Sequence, residues 1–291
     1  MSVKNSDFVT DMAIDALERQ SLAKIAVEKT LSHGIVRRVV NLKNAELAKK
    51  TGRERGVYVT FDCPSAALEQ RKAVEALQNH IANTLVECVG IMGRKSLVLT
   101  VGLGNDDIAA DSLGCEVISR LRVSATEEAK RTRQKARLAA FATGVEGVTG
   151  IKTVDTVEGI CEKLKPSCVI LVDALATSSA TRLGTSFQLT TAGIAPASGV
   201  GGDKPRIDRS TLGVPVVAVG VPLVLSMRTV LREFAEDYLK TVQCEGNEYK
   251  LRELMVEKRL TRLVVAPKEI KYYVACAAEI VAGAINLAFG E

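Results

Sequence analysis

The sequence predicts an α/β protein built on a wound, mostly parallel sheet flanked by helices. Four apolar, β-branched runs carry the first half of that reading: "SLVLTVGLG" (96–104), "SCVILVD" (167–173), "VPVVAVGVP" (214–222) and "TRLVVAP" (261–267). None alternates with polar residues, so each reads as a strand buried on both faces. Between them lie amphipathic stretches at 112–122, 155–165, 228–241 and 248–258, with a closing helix near 268–288. Strands that alternate with helices wind into one sheet.

Upstream, "LAKIAVEKTL" (22–31) and "AALEQRKAVEALQNHIANTLVECV" (66–89) read as helices around one short strand, "GVYVTFDC" (56–63). No Pro/Ser-rich linker, repeat or low-complexity tract interrupts the chain, so residues 1–291 are expected to form a single domain.

Composition narrows the function classes. With 47% hydrophobic and 25% charged residues the chain can bury a large core and is not a disordered polymer. No apolar run approaches the roughly 18 residues of a membrane span, and the start lacks a basic-then-apolar signal pattern, which predicts a cytoplasmic protein. Seven scattered cysteines without CxxC spacing fit a reducing compartment and argue against a zinc site. A net charge of +5 and 4% aromatics leave no footprint for direct nucleic-acid binding, and the basic run "EEAKRTRQKAR" (127–137) reads as a solvated helical face.

The familiar loop motifs fail on their own chemistry. In "VGLGNDD" the third glycine of a dinucleotide loop is replaced by Asp107, which beside Asp106 would repel a pyrophosphate. "SGVGG" (198–202) lacks the Lys-Ser/Thr ending of a phosphate loop. Ser178 and Ser179 stand in no nucleophile elbow, and the two histidines, His33 and His80, lie on segments that read as helical.

Carboxylates remain, because chemistry in open α/β sheets gathers where the strands end. Asp111 follows the first strand by a short loop, and Asp173 stands at the expected exit of the second. Either could cap a helix. Alternatively, the two face each other and share a proton, one member activating water and the other protonating a leaving amine.

The long block from "GVEGVTGIKTVDTVEGI" through "SCVILVDALATSSATRLGTSFQLTTAGIAPASGVGGDKPRIDRSTLGVPVVAVGVP" resembles the germination protease family of endospore-forming bacteria. So do "VTDMAIDA", "YVTFDCPS", "LVLTVGLGNDDIAADSLG" and "LVVAPKEI", which extend the likeness over nearly the whole chain. The resemblance implies a fold like that of hydrogenase-maturing endopeptidases (phosphorylase/hydrolase-like). It further implies catalytic aspartates at Asp111 and Asp173 and no cofactor; no His occurs beyond position 80 to supply a metal site like that of the maturation endopeptidases, and the lack of a long apolar run predicts no membrane contact. Its substrates would be small acid-soluble spore proteins, and the protein would be a homotetramer in the cytoplasm of the forespore and spore core. Asn105, Ser178, Ser179 and Arg182 are the candidate supporting or substrate-orienting residues. The family's zymogen character implies a short propeptide at about 1–8 and one self-cleavage between Ser6 and Asp15, in a region holding Asp7, Phe8, Asp11 and Asp15. Alternatives are a catalytically silent relative that binds such proteins and a metal-assisted maturation endopeptidase.

The chain departs from the family pattern at three places. It has "AAD" where the family has T-P-D, Asp106 and Asp107 where the family is neutral, and "LVLSM" behind "GVP". Extra acidity beside Asp111 is expected to raise its proton affinity, and an aspartate that would support the site is missing near Ser226.

Overall fold

The computed structural model describes residues 10–125, 135–195, 205–227, 229–231, 233–234 and 263–290. One sheet runs through them in the order β1-β2-β3-β7-β8-β6-β4-β5, with β9 added antiparallel to β8. Its parallel part is the set β5 (Arg137–Ala142), β4 (Leu97–Gly102), β6 (Cys168–Thr177) and β8 (Val216–Ser226). The antiparallel part adds β7 (Ser186–Thr190), β3 (Gly56–Asp62), β2 (Val36–Leu42) and the edge strand β1 (Val27–Thr30).

The central strands are apolar throughout because both faces are covered. Val98, Ile170, Val172, Val217 and Val219 point into a core shared with three helices, α4 (Arg71–Val89), α5 (Leu113–Arg120) and α9 (Ile270–Phe289). Their alternating neighbours Leu99, Val101, Val169, Leu171 and Val216 point the other way, against α7 (Thr153–Leu164). This period-two division makes three layers. Against the reading that no apolar run approaches a membrane span, the 20-residue α9 is long and apolar enough to cross one, yet most of its most apolar stretch is buried in this core against α4 and α5.

The α/β class, the helix-flanked sheet and most central elements match the reading of the sequence, and several local readings do not: upstream of β4 there are three strands, β1, β2 and β3, where one was read. Residues 22–31 form a short 3-10 turn and the strand β1 instead of a helix. All four residues of β1 are exposed, so "VEKT" carried no burial pattern, and pairing with β2 decided its conformation. The run 261–267 holds only the two-residue β9 (Val264–Val265), antiparallel and largely exposed rather than doubly buried. Of "EEAKRTRQKAR", Arg137 begins β5, so that end is a strand; residues 126–134 lie outside the described residues, as do 248–258, "SGVGG" and most of 228–241.

Candidate active site

Strand β6 does not stop at Asp173. It continues to Thr177, and Asp173 pairs in register with Gly220 of β8. Its other neighbour does stop: β4 ends at Gly102, opposite Val172, and the Leu103 N–H donates to the Val172 carbonyl at 2.8 Å as the chain turns away. Asp173 therefore stands at the exit of β4, held by a strand that continues past it. Its Oδ1 accepts the Ala174 N–H at 2.9 Å.

The loop leaving β4 returns on itself to place Asp111. Gly104 has φ +106°, and a Cβ there would lie 2.0 Å from the Asp111 carbonyl oxygen, so only glycine fits. Asp111 closes the 3-10 turn Ala109–Asp111, and its Oδ2 accepts the Asn105 N–H at 2.9 Å. A second close approach seats α5 on the strand end: a Cβ on Gly114 would lie 2.2 Å from the Leu103 carbonyl oxygen. Neither aspartate is a helix cap, since Asp111 bonds upstream to Asn105 and Asp173 lies inside a strand.

Asp111 and Asp173 line one cavity of about 650 Å³, together with Asp11, Arg53, Lys152 and Gln188. Burial pushes the Asp173 carboxyl well above the usual carboxylate range, and the charges of Asp111 and Asp11 push it further. Burial also raises Asp111, partly offset by the Asn105 N–H. The expected contribution of Asp106 and Asp107 to Asp111 is absent: both are exposed, and burial is the cause. Among the described residues, the acidic groups engaged by ion pairs nearby are Asp15, Glu18, Glu54, Asp62 and Asp208, and neither Asp111 nor Asp173 is one of them.

The other candidate residues divide between two places. The Asn105 backbone supports Asp111, while its side chain accepts the Asp107 N–H. Ser178 and Arg182 instead bind Asp15 on α1 (Ala13–Arg19), and Ser179 opens the 3-10 turn Ala180–Arg182 beside it. Asp15 is buried and accepts from the Thr10 and Thr177 hydroxyls and the Ser178 N–H, each at 2.7 Å, and from Arg182, which also binds Glu18 at 2.6 Å. The Ser179 hydroxyl meets that of Thr181, and Ser226 bonds Thr229 at 2.9 Å beyond the end of β8. Asp7 and Phe8 lie outside the described residues.

Sequence reasoning placed Asp11 only in a processing region and passed over Gln188. The signal for Gln188 was present as one amide inside the short apolar strand "SFQLT", where a buried polar side chain needs partners. Of the histidines, His80 lies on α4 and stacks on Phe61, while His33 sits in a turn with φ 59°, not in a helix. Among the described residues, no group of three His, Cys, Asp or Glu side chains converges to hold a metal ion.

The fold and this cleft define an α/β protein with carboxylates gathered at the ends of its parallel strands. The family model for germination protease matches residues 3–256. The chain belongs to that family and is a protease of the spore-germination type. It is similar to the germination proteases of Caldanaerobacter subterraneus subsp. tengcongensis, at 30% identity over 96% of this chain and 93% of that protein, and of Bacillus subtilis, at 32% over 79% and 67%. The germination protease of Clostridium perfringens is 29% identical over 96% of this chain and 94% of its own length. Among solved structures, it resembles a [NiFe] hydrogenase maturation protease from Thermococcus kodakarensis KOD1, with 18% identity, a TM-score of 0.38, and coverage of 70% of this chain and 99% of that one.

Proposed function

We propose that the protein is an aspartate-dependent endopeptidase that begins the degradation of small acid-soluble, DNA-protecting spore proteins at germination. One observation carries the mechanism: Asp111 and Asp173 share a cavity, and Asp173 is pushed to the higher proton affinity in part by the charge of Asp111. Two carboxyls so placed hold one proton between them more readily than none or two. Asp173 keeps it, and ionised Asp111 takes a proton from water as the water oxygen bonds to the scissile carbonyl carbon. Asp173 then gives its proton to the amide nitrogen as the C–N bond breaks, leaving a carboxylic acid and an amine.

The chain is a single domain over residues 1–291 with a short propeptide at about 1–8, and it works as a homotetramer in the cytoplasm of the forespore and spore core. It is made as a zymogen that cuts itself once between Ser6 and Asp15. Asp11, within that interval, already lines the cavity.

The deciding experiment incubates the purified protein with a small acid-soluble spore protein, with and without chelator, beside Asp111→Asn and Asp173→Asn. Cleavage that survives chelator and is lost in both variants is expected. Chelator-sensitive cleavage would transfer the chain to metal-assisted chemistry, and binding without cleavage by the wild type would make it a silent relative. Mass spectrometry of the same samples locates the self-cleavage, which Asp173→Asn should abolish.

A further inference from the structure

The stretch Thr10–Ala13 is held by its main chain at the edge of this cleft, with Asp11 lining the cavity and Thr10, Met12 and Ala13 buried beside it. The Asp11 N–H donates to the Ala176 carbonyl at 2.8 Å, and the Asp11 carboxylate accepts the Ala176 N–H at 2.8 Å. The Gln188 amide spans the next two residues, its Nε2 donating to the Asp11 carbonyl at 3.1 Å and its Oε1 accepting the Ala13 N–H at 2.7 Å. Arg53 donates to the Thr10 carbonyl. Most of these bonds are made to main-chain groups, which any extended peptide carries.

The receiving groups belong to the catalytic cleft. Gln188 of β7 pairs with Gly220 of β8, and Gly220 pairs with Asp173 of β6, so the amide and the carboxylate flank one glycine in a single row across the sheet. Two strand spacings separate them by about 10 Å. Gln188 and Arg53 both line the cavity that holds Asp111 and Asp173. Gln188 is 4% exposed with Thr10–Ala13 in place, and both ends of its amide are taken up by that segment.

We propose that Gln188 is a positioning residue for peptide cleavage: with Arg53 and the Ala176 peptide group it holds the main chain of a protein substrate extended across the cavity, and Thr10–Ala13 of the chain itself fills that place in the structure. This rests on the endopeptidase reading above. A held main chain confines the scissile carbonyl to the region between the two aspartates, which lowers the entropic part of the barrier.

The test separates this role from mere anchoring of the amino-terminal segment, because the two predict opposite signs. Gln188→Leu removes two hydrogen bonds and should raise KM for a small acid-soluble spore protein about tenfold, with kcat changed far less. Gln188→Glu keeps the shape and the acceptor for the Ala13-type N–H but loses the donor, and should raise KM by about threefold. If Gln188 only anchors Thr10–Ala13, loosening that segment clears the cleft, and KM falls or stays level; that result overturns the inference. Should Gln188→Leu fail to fold, Gln188→Glu decides by the same sign.

The same Gln188 variants are read beside Asp173→Asn in cleavage of the spore protein. A KM indifferent to position 188 sinks the inference alone. Persistent cleavage by Asp173→Asn sinks the endopeptidase mechanism instead.

Discussion

The Leu103 N–H donates to the Val172 carbonyl at 2.8 Å, and the residue after Val172 is Asp173. That bond marks where β4 leaves β6, and it is why the carboxylate meets a cavity instead of a neighbouring strand. The placement also has a measurable energetic cost. Burial raises the Asp173 carboxyl above its unfolded value, so the folded chain binds this proton more tightly than the unfolded chain does. The associated stability is complete below the unfolded carboxyl pKa and is lost as pH rises through the folded one. Asp173→Asn should therefore be more stable than wild type at neutral pH, with the gap closing toward about pH 4. Thermal midpoints at the two pH values check this; a gap independent of pH would mean that Asp173 does not titrate abnormally.

The same linkage shapes turnover. Groups facing Asp173 that raise it are Asp111 and Asp11. Because the proposed acid must stay protonated, the alkaline limb of kcat/KM should lie above the ordinary carboxylate range, and Asp11→Asn should move it to lower pH. A limb that stays in place in that variant would remove Asp11 from the electrostatics of the site.

Gly104→Ala puts a Cβ at φ +106° against the Asp111 carbonyl oxygen. Backbone strain of about 1–3 kcal/mol is expected, relieved by shifting the loop that carries Asp111. Turnover should fall at least tenfold, because a displacement of roughly 1 Å in a catalytic group is enough to do so. Circular dichroism and activity measured together test it: native structure with undiminished turnover would show that the position of Asp111 does not matter.

Asp15 is the stability counterpart of Asp173. Burial pushes its carboxyl up, but the Arg182 guanidinium, the Ser178 N–H and the Thr10 and Thr177 hydroxyls outweigh burial and hold it below the usual value. Its contribution is present above the unfolded pKa and is lost as pH falls through the folded one. Asp15→Ala leaves Arg182 with Glu18 but without its buried partner, and should cost about 3 kcal/mol in urea unfolding at neutral pH. The difference should narrow in acid. A loss below about 0.5 kcal/mol, the range of a surface substitution, would contradict the buried-pair description.

Thiol chemistry offers a control. Burial pushes Cys63 and Cys161 up to about 11 and Cys168 up to about 12, so these thiols are protonated at neutral pH and poor nucleophiles. Iodoacetamide at neutral pH should leave cleavage intact. Inhibition that tracks alkylation of a single cysteine would redirect the mechanism.

The sequence alone determined the layered class and the central strands, since runs such as 167–173 are apolar enough to demand cover on both faces, whereas the close approaches at Gly104 and Gly114 came from the fold. The ordered blocks around Asp111 and Asp173 were equally legible, as was the family they resemble. Tertiary structure alone decided the rest. "VEKT" and "RLAAFA" became strands because neighbours supplied pairing that their local propensities do not, and β6 ran on past Asp173 because β8 continued beside it. Whether a carboxylate faces a cavity, caps a helix or is buried against an arginine depends on groups far away in the chain. Asp11, Asp15 and Asp173 are the same residue type, and only the fold gave one a main-chain partner at Ala176, one an ion pair with Arg182, and one the end of β4.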